Sequence, residues 1–174
     1  IKLKENVYWH DSTDENPHKL TTADVQATFD MLEQLDNNPS TRSIYTKVAN
    51  KRIKFLPVDE YRFEFQLEGA IPNFYELISF KILPAKHLQQ VNINNILTNE
   101  PFINRSPIGT GPFKLKSADQ ESISLSRNEQ YHEQSKISKI KNIRFRFFSD
   151  ENSLVDALKS GQIHTAAGLS TEGL

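Results

Sequence analysis

The stretch "SPIGTGPFKLK", residues 106–116, gathers two glycines and two prolines directly before an alternating apolar pattern. Pro107 and Pro112 each fix φ and lack a backbone N–H, whereas Gly109 and Gly111 accept backbone angles that other residues resist. Such a stretch is either a tight corner that leads into a strand or a glycine loop that cradles a phosphate group. The residues around it decide between these two interpretations.

The phosphate interpretation requires glycines that open onto a helix, whose first N–H groups then face the anion. Here the alternation of Phe113 and Leu115 predicts a strand instead, and Pro112 removes one N–H donor. Lys114 also stands where the pattern G-x-G-x-x-G needs its third glycine. We therefore interpret residues 106–116 as a structural corner.

Periodicity along the rest of the chain mixes strands with helices. Alternation of apolar and polar residues predicts strands at 1–9, with a break near Asn6, in a hairpin over 53–67, in a short stretch before Pro84, and at 113–115, 123–125 and 143–147. Helical spacing and capping residues predict a long helix from Thr21 or Thr22, short helices at 41–48, after Pro72 and from Ala85, and a helix from Ser149 or Asp150 to Gly161. A short strand and a loop follow at 162–169. The fold class is α/β, or mixed α+β.

Composition excludes several classes of protein. The 174 residues include 21 basic and 22 acidic side chains, so no net field attracts nucleic acid or an anionic membrane. No apolar run approaches the ~20 residues of a membrane-spanning helix. The first residues have no signal-peptide layout and begin within a predicted strand, so we expect the chain to be a piece of a longer protein.

The sequence contains no arrangement typical of a metal centre or a catalytic site. Cysteine is absent, which excludes disulfides and thiolate ligands, and no two histidines have the spacing of a preformed metal site. The histidines are His10, His18, His87, His132 and His164. Ser106 and Ser126 lie in no glycine elbow of the kind that presents a nucleophile. We therefore predict no catalytic residue, no metal, no cofactor and no enzymatic activity.

Two motifs around the corner, "IGTGPFKL" and "ISLSRNEQYH", resemble the signature of the family 5 extracellular solute-binding proteins, the peptide- and nickel-binding components of ABC transporters. Further motifs follow the order of that family: "IKLKENVYWHD", "LTTADVQATFDML", "FKILPAKHL" and "DENSLVDALKSGQIHTAAGL". Each motif alone is weak, but together they cover essentially the whole chain. Two departures are the long loop "DSTDENPH" and His164, which stands where the family usually has an aspartate.

The resemblance implies a periplasmic-binding-protein-like fold of type II, of which this chain supplies a partial first lobe. It implies that residues 1–105 form the helper subdomain of that lobe and that residues 106–174 continue the lobe toward the hinge. Family members are considerably longer, so the second lobe and several strands of the first lie outside this sequence. We expect the uncompleted sheet to let the isolated chain self-associate through the strand at 143–147.

The resemblance also suggests which residues have a role at a site. The segment that enters the ligand cleft in the family corresponds here to Thr165, Ala166, Ala167, Gly168, Leu169 and Ser170. An ordinary strand end remains the alternative for this segment. The structural corner is assigned to Gly109, Gly111, Pro112, Asn128 and Tyr131, and we expect Gly109 or Gly111 to have a positive φ or to lie close against a neighbouring strand.

The leading hypothesis is a binding module of an extracytoplasmic protein that captures a small solute, above all a short peptide, for an ABC importer. Its partners would be that ligand and the transporter permease, with no nucleic acid bound by this segment. The alternative is a solute-sensing domain of a regulator or receptor that uses the same fold. The sequence leaves the choice between importer and sensor open.

Overall fold

Two three-stranded antiparallel sheets and a long helix organise this chain. The structure, a computed structural model, describes residues 1–36, 47–48, 51–89 and 106–169. In chain order the elements are α1 (Thr22–Asp36), β1 (Lys47–Val48), β2 (Lys51–Pro57), β3 (Phe63–Leu67), α2 (Phe74–Leu77), α3 (Ala85–Leu88), β4 (Phe113–Ala118), β5 (Ser122–Arg127), a 3-10 turn (Gln134–Lys136), β6 (Asn142–Arg146) and α4 (Glu151–Lys159). Mixed strands and helices are what the sequence predicts.

The first sheet has the order β1-β2-β3, and α1 packs on its apolar face. Alternate residues of the β2–β3 hairpin point to that face, so Phe55 and Phe63 stack with ring centroids 4.9 Å apart. Phe29 of α1 reaches Phe65 at 5.6 Å. Val25 of α1 is also buried in this layer. The predicted hairpin and long helix are confirmed.

The second sheet has the order β4-β5-β6, with a register shift between Leu115 and Ser117. Asp119 forms the β4–β5 turn by accepting the backbone N–H groups of Glu121 (2.8 Å) and Ser122 (2.7 Å), an arrangement typical of turn aspartates. The three strands predicted after the glycine corner are therefore confirmed.

Helix α4 begins and ends where the sequence signals lie. The Asp150 carboxylate accepts the Ser153 N–H at 2.8 Å and so caps the N-terminus. Gly161 follows the last turn with φ of +72°, the left-handed conformation that commonly ends a helix.

The cap of α1 differs from the prediction. Neither hydroxyl accepts a backbone N–H of the helix, since the Thr21 hydroxyl donates to the Asp24 carboxylate (3.5 Å) and the Thr22 hydroxyl donates to the Asp59 carbonyl (2.8 Å). Instead the Asp24 carboxylate reaches back and accepts the Thr21 N–H at 2.8 Å. In a capping box the side chain of the third residue after the N-cap accepts the backbone N–H of the N-cap residue. Asp24 makes this bond to Thr21, which stands at the N-cap position.

Three predicted strands are wrong. Residues 1–9 make isolated bridges instead of a strand, Lys2 with Arg62 and Tyr8 with Lys19, because the segment changes partner at a turn, which lies at the predicted break near Asn6. The stretch before Pro84 donates the Leu83 N–H to the Thr28 hydroxyl of α1 rather than to a sheet. Residues 162–169 form no strand, since the N–H groups of Gln162 and Ile163 return to the Ala157 carbonyl and close the end of α4.

The helix predicted at 41–48 is wrong at Lys47 and Val48, which form β1, and the rest of that prediction lies outside the described residues. Of the helices that the structure describes, none is both long enough and apolar enough to cross a membrane.

The N-terminal segment packs its apolar side chains beside α1. Val7, Trp9 and Leu20 form a buried cluster, against which Ile82 and Ile108 pack. Ile108 belongs to the glycine corner, so this cluster joins the part of the chain before residue 90, here called the first unit, to the part after residue 105, the second unit. The first unit therefore positions the corner that leads into the second sheet.

Candidate functional site

A groove of about 1280 Å³ lies between β6 and the segment that follows α4. Ile140 and residues 142–148 form one wall, and residues 162–168 form the other. The first turn of α4 closes one side through Glu151 and Leu154. Helix α4 connects the two walls, since it follows β6 in the chain and precedes residues 162–168.

The edge of β6 that faces away from β5 has backbone groups without a ladder partner among the described residues. Lys141 accepts from the Arg127 N–H, and Phe147 donates to Glu121, both at 2.8 Å. Hydrogen-bonded positions alternate along an antiparallel ladder, so the odd-numbered residues of β6 bond to β5. The N–H and C=O groups of Asn142, Arg144 and Arg146 therefore point away from β5, and these three residues line the groove.

The opposite wall holds most of the segment that the sequence assigns to a ligand. Thr165, Ala166, Ala167 and Gly168 all line the groove. Leu169 is half-buried beyond the lining, and Ser170 lies outside the described residues. Small side chains here leave the backbone accessible, and Gly168 turns the chain with φ of +83°.

The groove combines apolar surface with charges of both signs, from Arg144 and Arg146 and from Asp150 and Glu151. Phe145 and Phe147 are 52% and 53% exposed. The Arg146 guanidinium lies 5.1 Å from the Phe148 ring centroid and donates to the Gln162 amide oxygen at 3.3 Å, which links the two walls. A ligand in this groove would meet aromatic faces, guanidinium groups and unpaired backbone groups.

The glycine corner is held by hydrogen bonds rather than by special backbone angles. Among the described glycines a positive φ occurs at Gly161 and Gly168, so the positive φ expected at Gly109 or Gly111 is wrong. A Cβ at Gly109 would lie 3.4 Å from His10 Cε1, whereas a Cβ at Gly111 would meet nothing within 4 Å. Close approach therefore matters at Gly109, against the N-terminal segment rather than a strand.

Asn128 ties the corner to the end of β5. The buried Asn128 side chain donates to the Gly111 carbonyl at 3.0 Å, and its backbone N–H donates to the Pro112 carbonyl at 2.8 Å. Tyr131 is half-buried beside it, and the Tyr131 N–H donates to the Asn128 carbonyl at 3.2 Å. The structure thus brings together all five residues that the sequence assigns to the corner.

Sequence reasoning missed a cluster centred on Asp11. Its carboxylate bonds to His18 Nδ1 at 2.7 Å and to His87 Nε2 at 3.0 Å. Burial raises the pKa of the Asp11 carboxyl, but the hydrogen bonds from His87 and His18 outweigh it and leave that pKa below its usual value. No local signal reveals this cluster, because His87 is distant in sequence. Within the described ranges no group of histidine and acidic side chains is arranged to hold a metal ion.

One known protein family matches the chain over its whole length. The model of the family described as "Bacterial extracellular solute-binding proteins, family 5 Middle" matches residues 1–174. Over 167 residues the chain is 30% identical to the oligopeptide-binding protein AppA of Bacillus subtilis, a match that covers 94% of this chain and 28% of that protein.

Solved structures give the same result. The ABC transporter substrate binding protein CtaP of Listeria monocytogenes superposes with a TM-score of 0.73 and 29% identity, over 94% of this chain and 31% of that one. The oligopeptide-binding protein AppA of Bacillus subtilis, in complex with a nonapeptide, gives a TM-score of 0.71 and 28% identity, over 94% and 31%. The chain therefore spans less than a third of the length of these relatives.

Proposed function

The chain belongs to the family 5 bacterial extracellular solute-binding proteins, and from this membership we propose that it is part of a protein that captures short peptides for an ABC importer. The peptide as ligand is supported by the relatives, one of which is an oligopeptide-binding protein solved with a nonapeptide. Capture takes place outside the cytoplasm, and the complex is delivered to the transporter permease.

The observation that carries the proposal is the open edge of β6 opposite a wall of small residues. An extended peptide has a row of main-chain N–H and C=O groups, and an exposed strand edge is a general way to bind it regardless of its side chains. Asn142, Arg144 and Arg146 offer that edge, and Thr165 to Gly168 allow close approach. We propose residues 165–170 as one wall of the ligand site.

The division at residue 105 is part of the proposal. Residues 1–105 would form a helper subdomain around the first sheet, and residues 106–174 would carry the second sheet toward a hinge. Each sheet takes its described strands from one side of this boundary, which supports the division. In the complete protein a second lobe would close over the groove by hinge motion.

The proposal is a binding protein without catalysis, and it is tested on the complete gene product. We expect isothermal titration calorimetry with a nonapeptide to give saturable binding. Mass spectrometry after prolonged incubation should recover the peptide intact. Appearance of cleaved peptide would refute the non-enzymatic part of the proposal, and absence of binding to a panel of peptides would refute the ligand class.

The 174-residue chain alone provides one face of a cleft, so a ligand on it would keep much of its surface in water. We expect no measurable affinity for di- to pentapeptides with this chain. Micromolar binding by the chain alone would contradict a site that needs both lobes.

A measurement of peptide uptake in cells distinguishes a role in import from a role in sensing. Deletion of the gene should abolish uptake of a labelled peptide if the protein serves an importer. Normal uptake together with a lost transcriptional response to peptide would favour the sensor instead.

A further inference from the structure

His10 makes three hydrogen bonds to the glycine corner. Its backbone N–H donates to the Gly109 carbonyl at 2.9 Å, and its ring nitrogens lie 3.2 Å from the Gly109 nitrogen (Nδ1) and 3.0 Å from the Gly111 oxygen (Nε2). A carbonyl oxygen only accepts and a backbone N–H only donates. Nε2 must therefore carry the proton and Nδ1 must be the acceptor, which fixes a neutral ring in one tautomer.

We infer that His10 is a pH-sensitive latch between the N-terminal segment and the glycine corner, closed by the neutral imidazole and loosened by the imidazolium. Protonation would place a hydrogen on Nδ1, which faces the Gly109 N–H at 3.2 Å. Two donors would then point at each other, so one hydrogen bond is lost and replaced by repulsion. The bond from Nε2 to Gly111 survives, so the latch loosens without opening completely.

The surroundings of the His10 ring shift its pKa in opposite directions. Burial disfavours the charged ring, the Gly111 carbonyl favours it, Lys114 on β4 disfavours it, and Asp11 favours it. The balance leaves the pKa of His10 below its ordinary value of 6.5. Asp11 is itself engaged by His18, His87 and, at 3.8 Å, Lys86.

The sign of the pH effect follows from this lowered pKa. The unfolded chain binds a proton at His10 near pH 6.5, before the folded chain does. The contribution of His10 to stability is therefore complete above about pH 6.5 and is lost as the pH falls through the lower folded value.

The latch matters because the other polar side-chain contacts between the two units, among those described, are exposed. These contacts are Lys4 with Glu133 at 3.1 Å, Asn6 with the His132 carbonyl at 3.3 Å, and Gln130 with Asp14 at 3.2 Å. Exposed pairs of this kind add little to stability. Among the polar contacts, the half-buried bonds of His10 are thus the ones whose loss would most loosen the joint between residues 1–89 and 106–169.

The direct test is NMR of the 174-residue chain. We expect ¹⁵N shifts of the His10 ring to show the Nε2–H tautomer at pH 7.5 and a titration midpoint below 6.5. After correction for intrinsic exchange, protection of the Gly109 amide should fall about tenfold or more between pH 7.5 and 5, whereas the Asn128 amide at the same corner should keep its protection. A His10 midpoint at or above 6.5, the Nδ1–H tautomer, or unchanged Gly109 protection would each overturn the inference.

A variant pair gives an independent readout. His10→Gln keeps a donor near the Gly111 carbonyl but cannot titrate, so its Tm should fall less than that of the wild type between pH 7 and 5. His164→Gln, which replaces an exposed histidine, should follow the wild type. Equal falls in Tm for both variants and the wild type would overturn the inference, and if His10→Gln does not fold the NMR experiment on the wild type still decides.

Discussion

Asp24 accepts hydrogen bonds from three separate segments of the first unit. Its side chain is almost fully buried, with 3% of the residue exposed, and it accepts from Trp9 Nε1 (3.3 Å), the Thr21 N–H (2.8 Å) and the Ala85 N–H (2.8 Å). These donors belong to the N-terminal segment, the start of α1 and the start of α3. Because three buried or half-buried donors depend on one carboxylate, its removal should affect all three segments together.

We therefore predict that Asp24→Ala lowers the free energy of unfolding by about 3 kcal/mol, since hydrogen bonds to a charged group are lost and their donors stay buried. Asp156→Ala, on the exposed side of α4, is the matched control and should change stability by less than about 0.5 kcal/mol. Urea unfolding monitored by tryptophan fluorescence measures both. Equal stability of the two variants would show that Asp24 does not bind these segments together.

We expect Asp11 and Asp30 to contribute opposite pH dependences to the free energy of unfolding. The pKa of Asp11 is lowered, with hydrogen bonds from His87 and His18 outweighing burial, so its contribution to stability is present above the unfolded value of 3.8 and is lost below it. Burial, with help from Glu33, raises the pKa of Asp30, which therefore favours the folded state at acid pH.

Between pH 5 and 3, Asp11→Asn should thus flatten the loss of stability seen in the wild type, and Asp30→Asn should steepen it. Urea unfolding at several pH values measures the slopes. Slopes that change in the same direction for both variants would contradict this assignment.

At the scale of elements, the glycine corner depends on what lies against it. Valine at Gly109 would push its methyl groups toward the His10 ring, because its Cβ alone would already lie 3.4 Å from His10 Cε1, whereas Gly111 has open space. We predict that Gly109→Val costs about 1–3 kcal/mol, the usual penalty of overpacking. Gly111→Val should cost clearly less, because a Cβ there meets nothing within 4 Å.

Thermal unfolding of Gly109→Val and Gly111→Val measures this difference. A larger loss at Gly111 than at Gly109 would mean that backbone conformation, rather than contact with His10, governs the corner.

Local periodicity is sufficient to predict some elements and not others. The β2–β3 hairpin, α1, the three strands after the corner and α4 carry their own periodic pattern, and α4 also carries its own cap, so the sequence predicts them. The stretch before Pro84 is apolar enough for a strand, but its partner is the Thr28 hydroxyl of α1, which periodicity does not reveal. A pattern states which face is apolar and leaves open what that face packs against.

The candidate site likewise contains residues that the sequence predicts and contacts that it does not. A family resemblance points to residues 165–170, and the structure places residues 165–168 in one groove with β6. The polar contacts of His10 and Asp11 join residues far apart in the chain, and no spacing within the sequence could have predicted them. His18 and His87, which are far apart in the sequence, share the Asp11 carboxylate.

At the scale of the whole molecule, the open edge of β6 has a consequence for the isolated chain. An unpaired strand edge flanked by exposed aromatic side chains is a template for a second copy. We predict that the 174-residue chain self-associates through β6, whereas in the complete gene product the second lobe would cover this edge and keep the protein monomeric. Light scattering at several concentrations measures the mass of each.

Arg144→Pro provides the control for this association. The Arg144 N–H points away from β5, so proline there removes a donor from the open edge and keeps the ladder to β5. This variant should be monomeric with the second sheet intact by circular dichroism. A wild-type chain that stays monomeric at all concentrations would contradict association through β6.

The groove between β6 and residues 165–168 as a wall of the peptide site is the central claim, and peptide titration of groove variants in the complete gene product tests it most directly. Ala167→Trp should fill the groove and weaken nonapeptide affinity about tenfold or more, a loss of about 1.4 kcal/mol. Ala118→Trp, at the exposed end of β4 outside the groove, should bind like the wild type. Wild-type affinity in Ala167→Trp would contradict the account and would place the ligand elsewhere in the protein.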